Sequence, residues 1–138
     1  MKAGYLLIGI VLVSHGPLAD GFKRAAEMIV GPQERFLALG MDPAADLDVF
    51  RSEIEAAVSA VGQDGSALVL ADLMGGSPAN SSAAVALNGT PVICGLNLPM
   101  LLEVLMSREF SSLSDLAQTA FRAGSEGVVD LGKALNGS

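Results

Sequence analysis

Four short and almost wholly apolar runs set the terms on which this chain can fold. They are Tyr5 to Val13, Phe36-Leu37-Ala38-Leu39, Ala67-Leu68-Val69-Leu70 and Pro91-Val92-Ile93-Cys94. Without polar alternation the first reads as a strand buried on both faces, the third as another buried strand, and the second and fourth as strands. The first strand is expected over 5–14, the second within Arg35 to Met41, the third over 66–71 and the fourth over 90–95. Between them the apolar residues recur at helical spacing. Pro17 to Val30 places Leu18, Phe22, Ala25, Ala26 and Ile29 on one face, and Gly31-Pro32 stops it. Asp42-Pro43 offers an N-cap and a first-turn proline to a second helix, from about Pro43 to Val61. Its stripe is Phe50, Ile54, Ala57, Val58 and Val61, and Gly62 ends it. A third helix is expected from Ser77-Pro78 to about Leu87, and further ones over about 98–107 and 112–123, closed by Gly124. Val128-Val129 reads as a short last strand. Strands alternating with helices require a parallel sheet covered on both faces. The expected architecture is therefore α/β, a three-layer sandwich around a mostly parallel four-stranded sheet.

The length, 138 residues, suits one domain over 1–138, and 51% hydrophobic residues are enough for a sizeable core. The formal charge of −7, from 15 acids against 8 bases, argues against a nucleic acid or an anionic membrane as partner. It suits a macromolecular partner that is basic at its contact face. Cys94 is the only cysteine, so no internal disulfide forms, and its apolar run marks it as a core residue. Lys2 followed by a hydrophobic run resembles a signal peptide. The run ends in Ser14-His15-Gly16 rather than a small-x-small cleavage site, and an amphipathic helix follows. It also falls short of the roughly 20 apolar residues that span a bilayer. It reads as the first strand of a cytoplasmic domain, with no second domain expected beyond Asn136-Gly137-Ser138.

Two segments at the carboxyl ends of strands carry the chemistry. One is Ser14-His15-Gly16-Pro17-Leu18-Ala19-Asp20-Gly21, which holds the only histidine of the chain. The other is Asp72-Leu73-Met74-Gly75-Gly76-Ser77-Pro78-Ala79-Asn80. If their strands are neighbours, both loops meet over one sheet edge, where open α/β sheets place their sites. Phosphoryl transfer through histidine needs one unprotonated, exposed ring nitrogen. The other must donate its proton to a fixed acceptor, which sets the tautomer. Asp72 is placed to be that acceptor. Gly16 permits close backbone approach, Gly75-Gly76 can expose N–H groups, and the first helix has free N–H groups at its start. The hydroxyls of Ser14 and Ser77 can add hydrogen bonds. Neither loop contains lysine or arginine. Neutral donors suit a carrier that must release its phosphoryl group. No GxxxxGK[ST] or GxGxxG loop is present.

Each feature also has a plainer reading. Asp72 can simply end a strand, Ser77-Pro78 is an ordinary helix start, and Gly75-Gly76 can be a turn. One histidine and one distant cysteine do not make a zinc site. Ser77, His15 and Asp72 could compose a small hydrolase, although Ser77 stands in Gly-Gly-Ser-Pro rather than a Gly-x-Ser-x-Gly elbow.

Taken together, these residues resemble the enzyme IIA domains of the mannose family of the sugar phosphotransferase system. The resemblance spans nearly the whole chain. It rests on Ser14-His15-Gly16 with Ala19 and Gly21, and on Asp72 to Asn80. It rests also on Gly95-Leu96-Asn97-Leu98-Pro99-Met100-Leu101-Leu102-Glu103, and on Gly124-Ser125-Glu126-Gly127-Val128. It implies a phosphohistidine carrier without cofactor or metal. The phosphocarrier protein HPr would phosphorylate His15 on Nε2, and an EIIB component would receive the group. Asp72 would orient the ring through Nδ1–H and Ser77 would contact the phosphoryl group. It further implies a cytoplasmic homodimer that meets a membrane permease only through its partners. In such a dimer a C-terminal strand near Gly127-Val128-Val129-Asp130 is exchanged antiparallel. Two alternatives stand beside this: a regulatory module whose phosphorylation state another protein reads, and the phosphotransfer subunit of a dihydroxyacetone kinase. The latter resembles Ser-His-Ser and Gly-Ser-Ala more than the Gly16 and Gly-Gly-Ser-Pro found here.

Overall fold

A computed structural model describes residues 7–62 and 65–137. The expected strand start at Tyr5 and Leu6 lies outside the described residues. Four strands form one parallel sheet: β1 (Gly9–His15), β2 (Phe36–Met41), β3 (Ala67–Ala71) and β4 (Val92–Cys94), in spatial order β2-β1-β3-β4. The chain leaves β1 for β2 on one side, then returns to place β3 and β4 on the other. The order therefore reverses between β1 and β3, and such a switch point opens a crevice beyond the carboxyl ends of the strands.

Helices cover both faces. Helix α1 (Leu18–Val30), α5 (Leu98–Ser107) and α6 (Leu113–Glu126) pack on one side over Ile10, Leu12, Leu68 and Leu70. On the other side α2 (Leu47–Val61), α3 (Ser77–Ser81) and α4 (Ala83–Leu87) lie over the face of Val11, Val13 and Val69. The alternation of β1 residues between the two clusters follows from the two-residue period of a strand. A last short helix, α7 (Leu131–Leu135), is exposed throughout. No helix among the described residues is long and apolar enough to cross a membrane.

Several boundaries differ from the sequence expectation. In α1 the inward face is Ala19 and Ala26 with Phe22 and Val30, while Leu18 and Ile29 are exposed. The apolar arc on this helix is wider than its contact, and the small alanines let it lie close to the sheet. The α2 N-cap is Asp46, whose carboxylate accepts the N–H groups of Asp48 and Val49. Asp42 instead opens a turn closed by Ala45 N–H onto its carbonyl at 3.0 Å, which redirects the chain from β2. The expected third helix divides into α3 and α4 around Ser82, whose hydroxyl donates back to the Pro78 carbonyl at 3.1 Å. Gly124 does not end α6. It lies inside that helix because a Cβ there would sit 2.6 Å from Met100 Cε, so the glycine permits contact with α5. Val128-Val129 forms no strand in the single chain, and both residues are exposed.

Arg108 is 2% exposed at the amino-terminal edge of the sheet. Its guanidinium donates to the carbonyls of Ile8, Glu34 and Arg35 and to Gln33 Oε1. Burial lowers its pKa, but four acceptors hold the cation in place. It closes the end of the sheet opposite the loops that follow β1 and β3.

Candidate functional site

His15 is the last residue of β1, immediately after the fully buried stretch Ile10 to Ser14. A parallel neighbour on each side fixes the strand end, and the backbone of His15 pairs with Met41. The chain then turns sharply at Gly16, whose φ of +51° favours glycine. Gly16 N–H donates to the Met41 carbonyl at 2.8 Å. Its own carbonyl passes so close to β2 that a Cβ on Gly40 would lie 2.0 Å from it. Gly40 is thus the clearance that lets the histidine turn close over β2.

Ser14 is fully buried. Its hydroxyl oxygen accepts Ala19 N–H at 2.7 Å, and its proton points to the His15 carbonyl at 3.1 Å. It therefore satisfies a free N–H at the start of α1, the task of an N-cap. The sequence expected this hydroxyl to bond a phosphoryl group; the structure places it inside the fold, engaged twice, where it holds the loop.

Asp72 follows β3 by one residue, and its N–H donates to the Val13 carbonyl at 3.1 Å. One carboxylate oxygen, Oδ2, accepts the backbone N–H of His15 at 2.9 Å and lies 2.8 Å from His15 Nδ1. With an anionic acceptor at that distance Nδ1 carries the proton, and Nε2 presents its lone pair. The Asp72 side chain is only 8% exposed, whereas that of His15 is 49% exposed. The orienting group is sheltered and the nucleophilic edge is open. The other Asp72 oxygen, Oδ1, is buried without a hydrogen-bond partner.

The glycine pair does two different things. Gly75 adopts φ +83° in the turn with open space around it. Gly76 lies against the imidazole: a Cβ there would come 2.8 Å from Cε1 and 3.4 Å from Nε2 of His15. The main chain at Gly76 is thus one wall of the ring. Ser77 follows at the start of α3, half-buried, and makes no hydrogen bond to His15 among the described residues. A hydrolase triad, which needs that bond, is not assembled here. Leu73 and Met74 project into solvent from the same loop.

Cys94 pairs with Ala71 in the sheet, one residue before Asp72. Burial pushes its thiol pKa up, and the Asp72 charge pushes it further. Both causes disfavour the thiolate, the form that would be nucleophilic. No group of three His, Cys, Asp or Glu among the described residues is arranged to hold a metal ion. The arrangement is a single exposed imidazole with a locked tautomer, walled on one side by the Gly76 main chain and suited to take an electrophilic group on Nε2. The sequence brought out His15, Asp72 and the glycine loop. It did not bring out Gly40, although a glycine inside an otherwise apolar strand is a known sign of close backbone approach.

Residues 9–121 match the family model EIIA-man, described as the PTS system fructose IIA component. The sorbose-specific EIIA component of Lacticaseibacillus casei is 37% identical over 109 residues, 78% of each protein. The mannose-specific EIIAB component of Escherichia coli strain K12 is 32% identical over 126 residues, 89% of this chain but 39% of that longer protein. Among solved structures, EIIA from Streptococcus agalactiae aligns with a TM-score of 0.83 at 31% identity, covering 91% of this chain and 98% of that one. The mannose/sorbose-specific IIA subunit from Enterococcus faecalis gives 0.81 at 28% identity, covering 91% and 95%.

Proposed function

This chain belongs to the EIIA-man family of the sugar phosphotransferase system, and on that premise we propose that it is a phosphohistidine carrier. The donor is HPr and the acceptor an EIIB component. The Nε2 lone pair of His15 attacks phosphorus while the P–N bond to the donor histidine breaks, and that electron pair stays on the donor nitrogen. The imidazole gains positive character, which the Asp72 carboxylate stabilises through Nδ1–H. Onward transfer to EIIB reverses these roles. Ser77 and the main-chain N–H groups of Gly75 and Gly76 supply neutral hydrogen bonds to the phosphoryl oxygens, while Gly16, whose N–H is bonded to the Met41 carbonyl, shapes the turn that presents the ring. The observation that carries this reading is the 2.8 Å approach of Asp72 Oδ2 to His15 Nδ1, which leaves Nε2 free.

The carrier works in the cytoplasm as a homodimer and reaches a permease only through its partners. Support for the dimer comes from the far edge of the sheet. Among the described residues strand β4 has a neighbour on one side only, and Val92, Ile93 and Cys94 are all half-buried. Exposed Val128 and Val129 supply apolar chain that could pair antiparallel along a partner's β4. Val129→Asp should then shift sedimentation from dimer to monomer, and a native chain sedimenting as a monomer would remove the exchange.

The decisive experiment incubates the protein with phosphoenolpyruvate, enzyme I and HPr. Phosphate should appear on His15 as an acid-labile, alkali-stable adduct. Label that persists in His15→Ala would overturn the assignment.

A further inference from the structure

We propose that Arg51, on the exposed side of α2, is a phosphoryl-binding residue that tunes how tightly the phosphorylated state is held. The proposal rests on the carrier reading and adds to it a cation absent from both site loops.

A cavity of about 210 Å³ lies between α2 and α3. Leu47, Asp48 and Arg51 form one wall, and Ser77, Asn80 and Ser81 the other. Ser77 directly follows Gly76, whose main chain packs against the Cε1 and Nε2 edge of His15. The cavity therefore starts one residue from the wall of the reacting nitrogen. Ser77 thus joins the wall of the ring to the cavity, and among the described residues Arg51 is the only cation lining it.

Arg51 is lightly held. Its Nη2 lies 3.1 Å from Asp48 Oδ1, with the two side chains 50% and 84% exposed. An exposed pair one helical turn apart is readily exchanged for a better partner. A phosphoryl group carries close to two negative charges and three acceptor oxygens, and the planar guanidinium can engage two of them together. Arg24, in the first half of α1, is by contrast paired with Asp20 at 2.7 Å. Adding a phosphoryl charge beside the Asp72 carboxylate, on a chain of net charge −7, creates repulsion that a nearby cation relieves. In the unphosphorylated protein Asp48 occupies Arg51. After transfer, the phosphoryl group competes for it.

The test uses the full chain phosphorylated on His15, with Arg51→Gln and Asp48→Asn as variants. Two quantities are read: the 31P titration of the phosphoryl group, and the phosphorylated fraction at equilibrium with a known ratio of phosphorylated to free HPr. Arg51→Gln should raise the second phosphoryl pKa and shift the equilibrium toward phosphorylated HPr by roughly tenfold. Asp48→Asn frees the guanidinium and should shift both in the opposite direction. If Arg51→Gln labels on His15 but both quantities stay within twofold of the native protein, the inference is overturned and the carrier reading stands. A native chain that takes no label on His15 overturns both.

Discussion

Substituting alanine at Gly76 isolates the contribution of ring placement to transfer. The backbone there has φ −81° and ψ 162°, a region open to any residue, so alanine introduces no torsional strain. What it introduces is a methyl group 2.8 Å from His15 Cε1. Comfortable carbon–carbon contact begins near 3.5 Å, so the ring must retreat by roughly 0.7 Å. It cannot do so freely, because Nδ1 is tied to Asp72 Oδ2 at 2.8 Å. A retreat of that size would lengthen the bond to about 3.5 Å, where little of it survives. Loss of a hydrogen bond to a charged group is worth about 1.5–3 kcal/mol, which translates to a rate lower by roughly 10- to 150-fold. The assay is rapid-quench transfer from phosphorylated HPr, with a thermal melt to show that the fold persists. Gly75→Ala is the comparison. Its φ of +83° costs alanine about 1–2 kcal/mol of backbone strain, but its Cβ would meet nothing. A rate for Gly76→Ala within threefold of native, or a larger loss in Gly75→Ala, would refute the wall assigned to Gly76.

Other consequences can be checked separately. Ser14→Ala should cost about 1–2 kcal/mol of stability by stripping Ala19 N–H of its acceptor, yet still accept label on His15; an unlabelled variant that melts like the native protein would restore a direct ligand role to Ser14. Arg108→Met should lower the urea midpoint by an amount equivalent to about 3 kcal/mol or more, because three carbonyls and Gln33 Oε1 lose their donor; a loss below about 1 kcal/mol would mean that solvent replaces the guanidinium. The raised pKa of Cys94 leaves little thiolate near neutrality, so iodoacetamide should react slowly at pH 8 and faster only as pH climbs past the ordinary thiol range. Asp72→Asn removes one cause of that rise and should speed alkylation at fixed pH, and an unchanged rate would assign the whole shift to burial.

The strands and their parallel pairing were legible because each is an apolar run; β1 and β3 are buried along that run, whereas β2 and β4, at the sheet edges, are partly exposed. Register and helix rotation were not. Leu18 and Ile29 satisfy the helical period as well as Ala19 and Ala26 do, and periodicity alone does not say which arc meets the sheet. Asp42 and Asp46 are both acidic residues ahead of α2. The choice between them was made by a turn needed to bring the chain from β2 to α2. Gly124 carries the usual mark of a helix end, but tertiary contact with Met100 explains it instead. At the site, His15 and Asp72 stood out by residue type and by position after apolar runs. Arg108 gave no such sign, because its partners lie far off in the chain, where no local pattern reports them.

The same sheet that hides these long-range partners is what builds the site. Asp72 N–H bonds the Val13 carbonyl as the next rung of the β1–β3 ladder, and its Oδ2 then reaches both the backbone N–H and the ring of His15. A single oxygen thereby fixes the ring relative to the strand end, with no rotamer left to chance between them. On the opposite flank, Gly16 N–H bonds the Met41 carbonyl, and Gly40 leaves room for the Gly16 carbonyl. The histidine turn is thus held from β3 on one side and β2 on the other, both through main-chain register. A strand slip of two residues would preserve every inward apolar position and still carry Asp72 about 7 Å from its imidazole. The buried strands therefore set the site: the contact of Asp72 with Nδ1 is only as reliable as the pairing of β1 with β3.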